Sequence, residues 1–219
     1  MSTVMTPEDR HLAEFTTGGS TAEIVGGIAA VVLTILGLAH VAPRFMLTIA
    51  TIAIGAALVF EGASIAAEYS ALLARTDDSA LETTEMGGGM TTEMAAGIAG
   101  IVLGLLALLG LAPMVLTPVA VIVFGTALAF GSGMVSRLND LKIEMSGAHA
   151  SAQRVAREAM GASAGTQVLI GLGGVVLGIL ALVGTVPMVL TLVALLSVGA
   201  SVLLSGNALS GKIVALVHR

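Results

Sequence analysis

The chain has 219 residues, of which 56% are hydrophobic and 11% charged, with a formal net charge of −5 and a mean hydropathy of +1.03. Soluble domains carry about 25% charged residues, so the composition excludes an ordinary globular protein. The absence of cysteine excludes disulfides, thiolate metal centres and cysteine nucleophiles.

The N-terminal stretch MSTVMTPEDRHLAEF carries Glu8, Asp9 and Glu14 and lacks a basic region ahead of the first apolar run. It reads as a cytoplasmic segment, 1–21, and not as a cleavable signal peptide. Beyond it, six apolar stretches are predicted as membrane helices over 22–41, 44–67, 93–111, 114–136, 167–185 and 188–210, of about the length that crosses a ~30 Å hydrocarbon core. They fall into three helical hairpins, 22–69, 93–138 and 165–211. Polar connectors occupy 70–92 and 139–164, the second a candidate surface helix, and a tail covers 212–219.

The hairpins are copies of one another. Pro43, Pro113 and Pro187 stand 70 and 74 residues apart, each is followed twelve residues later by Gly55, Gly125 or Gly199, and each is preceded by twenty residues by Glu23, Glu93 or Gln167. Self-similarity at a fixed offset is the signature of a repeat architecture. Proline suits the first turn of the second helix, where its missing N–H has no intrahelical partner. So short a link makes the paired helices antiparallel neighbours.

The first helix of each hairpin carries a stripe of small residues: Gly27, Ala30, Thr34 and Gly37; Gly97, Gly100, Gly104 and Ala107; Gly171, Gly174, Gly178 and Ala181. Such stripes let membrane helices approach backbone to backbone. The expected fold is an all-α integral membrane protein, a six-helix bundle of three hairpins in a pseudo-threefold arrangement with the glycine-striped helices innermost. Of the nine Lys/Arg only Arg44 lies at a proline turn, which predicts both termini and both connectors on the cytoplasmic side of the inner membrane.

Glu61 is the first candidate for chemistry, because an ionisable group in a span is by default a functional-site hypothesis. It lies 18 residues after Pro43, at a depth similar to Glu23, and the positions matching it are Gly131 and Ser205. Glu61, Glu23 and Glu93 are the candidate proton or ion residues. For Glu23 and Glu93 a structural reading stands beside this one, since acids in a first helical turn favour the helix dipole and Ser20-Thr21-Ala22-Glu23 forms a capping box. His40 and Arg44 flank the first turn, where a histidine is a candidate sensor of external acidity. Ser132, Ser205 and Asn207 are read as hydrogen-bonding across helices.

No nucleophile–base pair, cofactor motif or metal cluster is visible: the four histidines form no i,i+3 or i,i+4 pair, and GxGG at 171–174 lies inside an apolar helix. The expectation is a non-enzyme without metal or cofactor. No Lys/Arg run of the length expected for nucleic acid occurs. The expected partners are the lipid bilayer and further copies or other membrane subunits.

Two family resemblances follow from these motifs. Glycine-rich hairpins with a carboxylate resemble the proteolipid c subunit of rotary ATPases, but here the glycines step by three and four and Glu61 occurs once in three hairpins. LGLLALLGLAP at 103–113, LGILALVGTVP at 177–187, VLLSGNAL at 202–209 and LVFEGASI at 58–65 resemble the acid-resistance HdeD-like family over about residues 22–211. That resemblance implies a six-span inner-membrane protein linked to acid stress, with no catalytic residues to carry over. The functional expectation is a structural or stress-protective membrane protein, self-associating or an accessory subunit. The alternative is a small proton or solute channel or transporter using Glu61 and Glu23 near the cytoplasmic mouth.

Overall fold

A computed structural model describes residues 24–73, 83–145, 150–184 and 186–217, and among them every regular element is an α-helix. The helices are α1 (Ile24–Leu38), α2 (Pro43–Leu73), α3 (Thr83–Leu108), α4 (Pro113–Met145), α5 (Ala150–Val183) and α6 (Pro187–Val217). Four contain stretches long and apolar enough to cross a membrane: Pro43–Ser64, Pro113–Gly131, Gly165–Val183 and Pro187–Leu204. The apolar stretches Ile24–Leu38 and Thr92–Leu108 are shorter. Large apolar side chains stand exposed around the bundle, among them Val25, Phe60, Leu109, Phe130, Leu169 and Leu204. In water such a surface would be an aggregation liability, whereas in lipid it is the solvated face.

Each tight turn ends in a proline at the first residue of the next helix. The chain leaves the preceding helix through a left-handed residue: His40 (φ 63°), Gly110 (φ 89°) and Gly184 (φ 96°). In the first two turns this residue closes a Schellman motif, with His40 N donating to Gly37 O and Val41 N to Leu36 O, then Gly110 N to Ala107 O and Leu111 N to Leu106 O. These motifs occupy the residues between the paired helices, so α1 and α3 end earlier than the spans read from the sequence. The ends opposite the proline turns differ the other way. Helix α3 begins at Thr83 and α5 at Ala150, so much of the polar connector sequence continues the helices.

The glycine-striped helices are not innermost. Among the described residues the central buried cluster comes mainly from the second helices, with Leu47, Ile54 and Leu58 on α2, Val121, Phe124 and Leu128 on α4, and Leu192, Leu195, Val198 and Val202 on α6; of the first helices only Ala30 is fully buried in it, with Leu33, Leu38, Leu103 and Leu177 packed against it. All three second helices meet one another. Correspondingly, 56% of the Pro43–Ser64 stretch is buried but only 22% of Gly165–Val183. The physical reason is volume. A centre lined by glycine would be a void, and close packing requires large side chains on the axis.

The glycines instead lay each first helix against the backbone of a second helix from a neighbouring hairpin. A methyl group on Gly97 would stand 2.6 Å from Gly55 O and 2.8 Å from Val59 N, and one on Gly55 would stand 2.7 Å from Gly97 O. On the α4–α5 seam, Gly125 and Gly171 touch in the same way, and a methyl on Gly171 would stand 2.9 Å from Ala129 N. On the α6–α1 seam, a methyl on Gly27 would stand 2.9 Å from Leu203 N, and one on Gly199 3.1 Å from the Ala30 Cβ. Lower on the same helices, Gly104 faces Ile52, Gly178 faces Ile122 and Pro118, and Gly37 faces Leu192. Gly100 receives the ring of Phe124, and Gly174 lies 3.7 Å from both Gly125 and Val198 by the same measure.

Candidate functional site

Of the residues whose side chains are described, only His40, Arg44, Glu61 and Glu93 carry ionisable groups. The two bases sit exposed at the first proline turn. The two acids lie towards the opposite end of the apolar stretches, Glu61 being 18 residues beyond Pro43, or ~27 Å along the helix at about 1.5 Å per residue. Both acids are buried, with 4% of Glu61 and 1% of Glu93 exposed.

Local packing brings them together. Glu61 projects from α2 one turn and a half beyond the Gly55–Gly97 contact, and Glu93 from α3 one turn before it. The helices run antiparallel, so the two residues come level, each within reach of the other's charge. On its other side the Glu93 carboxyl rests on Gly131 of α4, in the space a side chain there would fill. Oε2 of Glu61 and both carboxyl oxygens of Glu93 have no hydrogen-bond partner among the described residues. Buried polar atoms are nearly always paired, and an unsatisfied one costs about 1–3 kcal/mol, more if it is charged. Two such groups within reach of each other's charge therefore need an explanation.

Among the described residues no cationic side chain lies near the pair, and the buried threonines whose bonds are described turn to their own helices. Thr34, Thr51, Thr117 and Thr191 are buried, but their hydroxyls donate to the carbonyls of Ala30, Leu47, Pro113 and Pro187 on their own helices. Thr48 likewise donates to Arg44 O and Phe45 O, and Ser64 to the backbone oxygen of Glu61. An open groove of about 580 Å³ follows the α3–α4 seam, lined by Thr92, Ala96, Ala99, Ile122, Thr126 and Ala127. Its lining includes Thr92, the residue before Glu93, and Ala127, one turn before Gly131, but neither Glu93 nor Gly131. No group of three or more metal-ligating side chains occurs among the described residues.

The structure pairs Glu61 with an acid of the next hairpin. Glu23, read from the sequence as its neighbour in depth, lies outside the described residues, as do the side chains of Ser132, Ser205 and Asn207. The helix-dipole reading of Glu93 does not hold, because α3 starts at Thr83 and places Glu93 well inside the helix. Gly131 is the residue the site reading lacked. Its signal was present, since it is the position that matches Glu61 and has no side chain, yet nothing in one hairpin says which acid fills the gap.

No family model, curated protein or solved structure matches this chain.

Proposed function

We propose that the protein is a non-enzymatic integral membrane protein whose Glu61–Glu93 pair binds protons, and that it serves an acid-responsive, stress-protective role. In this reading six spans form three hairpins about a pseudo-threefold axis in the inner membrane, with both termini and the acid pair towards the cytoplasm. The observation that carries it is the burial of two carboxyls within reach of each other's charge, three of whose four oxygens have no hydrogen-bond partner among the described residues. A proton on the pair removes charge from an apolar interior and supplies the missing donor, which is the least demanding way to satisfy such a site. The HdeD-like resemblance of the hairpin motifs points to the same physiology. Lipid covers the apolar outer surface, and association with further copies or membrane subunits belongs to the same proposal.

Conduction of protons or a solute is the second reading, and the position of the pair at one end of the bundle is what favours it, as an inner mouth. The core beyond the pair weighs against it. Between the acids and the proline turns stand Ile54, Leu58, Phe124, Leu128 and Val198, all fully buried, and the threonine hydroxyls are held by their own helices.

The test is infrared titration of the full-length protein in lipid, run beside proton flux into proteoliposomes. The expected result is a carboxylic-acid band that changes with pH, is lost in Glu61→Gln and Glu93→Gln, and is accompanied by no flux above empty liposomes. Absence of any such band would overturn the proton-site reading. Flux that disappears in Glu61→Gln would replace the stress-protective reading with conduction.

A further inference from the structure

We infer that Gly131 is a positioning residue for the carboxyl pair: its missing side chain is the seat that holds the Glu93 carboxyl against Glu61. The inference rests on the proton-binding reading of the pair. A methyl group at position 131 would overlap Glu93 Oε1 and would stand 2.8 Å from Cδ and 3.1 Å from Cγ. The carboxyl thus occupies the volume that any other residue would claim.

The described residues around Glu93 pack closely on two sides. One turn above Glu93, Gly97 is locked against α2 at Gly55 O and Val59 N, so the α3 backbone does not move away from α2. On α4, Ala127 and Leu128 precede the seat and are buried to 1% exposure or less. Glu61 on α2 is itself buried and lies within reach of the Glu93 charge. Position 131 corresponds by the proline register to Glu61 and Ser205, both of which bear side chains, so the seat belongs to the second hairpin. Gly131 neither donates nor accepts a proton. It fixes where the second acid stands relative to the first.

The experiment uses the full-length protein in lipid and reads the carboxylic-acid infrared band together with helical content. Glu61→Gln and Glu93→Gln establish whether the band belongs to the pair. If neither removes it, the proton-site reading fails, independently of Gly131. If both remove it, Gly131→Ala is expected to shift or abolish it with helical content retained. In the Glu93→Asp background, where the side chain is one methylene shorter, the same Gly131→Ala change is expected to leave the band where Glu93→Asp alone puts it. A Gly131→Ala protein with the wild-type band would overturn the inference, as would an equal effect in both backgrounds. Should Gly131→Ala not fold on its own, recovery of folding in the Glu93→Asp background supports the seat, and failure there overturns it.

Discussion

Gly171 and Gly173 stand two residues apart on α5 and should respond to the same substitution in different ways. A methyl on Gly171 would meet Gly125 O at 2.5 Å and Ala129 N at 2.9 Å, both backbone atoms that cannot rotate aside, whereas a methyl on Gly173 meets nothing within 4 Å. Glycine to alanine gains about 1 kcal/mol of helix propensity at either site. That term cancels in the comparison. The difference is then the overpacking cost at Gly171, about 1–3 kcal/mol for an added methyl in a packed interior. Gly173→Ala should therefore be neutral or stabilising by up to ~1 kcal/mol, by the propensity term alone. Gly171→Ala should lie about 1–3 kcal/mol below it, a five- to more than hundredfold lower folding constant. The assay is reversible unfolding in mixed micelles followed by helical circular dichroism. Equal midpoints for the two variants would refute the close α4–α5 seam, and with it the role given to the buried glycines.

Three further outcomes are expected. His40 holds a left-handed φ of 63° where the other two turns place glycine, a conformation costing roughly 1–2 kcal/mol for most side chains. Glycine's larger unfolded-state entropy offsets about 0.4–1 kcal/mol of that. His40→Gly should thus raise the unfolding midpoint modestly and Gly110→Ala should lower it; a destabilised His40→Gly would mean that the imidazole makes a contact of its own. Phe124 is fully buried and rests on Gly100, so Phe124→Ala should cost about 3–5 kcal/mol, while Phe130, 70% exposed, should tolerate alanine with little change in the same unfolding assay. Glu93→Gln should leave the fold intact and remove the titrating carboxyl band, because glutamine keeps the volume and supplies donors in a site short of them. An unfolded Glu93→Gln protein would show that the acid is needed for structure.

The helices and turns were legible because their causes are local. Proline at the first helical position and a run of apolar residues of spanning length say where a helix starts and what surrounds it. The glycine stripes announced close backbone approach, and Gly55, Gly97, Gly125 and Gly171 do meet backbone to backbone. Which side of the bundle they occupy was not legible. A stripe of small residues looks alike whether it faces an axis or a neighbouring hairpin, and only the filling of the centre by Phe124, Leu192 and their like decides between them. The acid site failed to read out for a related reason. Depth counted from a proline gives the level of Glu61 in the bundle, but the partner across the seam belongs to whichever hairpin packs there.

The third hairpin gives the strongest reason to treat the acids as functional. By the proline register, Gln167 stands where the second hairpin has Glu93, and Ser205 stands where the first has Glu61. A glutamine and a serine can serve helix packing in an apolar interior without a charge to neutralise, and Gln167 does have an interaction partner in the structure. The same chain therefore carries neutral residues at the two matching positions, and Gln167 is half-buried where Glu93 is buried. In the first two hairpins it instead brings two buried carboxyls within reach of each other's charge, leaves three of their four oxygens without a partner among the described residues, and has a glycine at 131 where one of them rests. Packing alone would favour the glutamine, since an unsatisfied buried acid only subtracts from stability. Exchange of a proton at that point is the property the glutamine lacks.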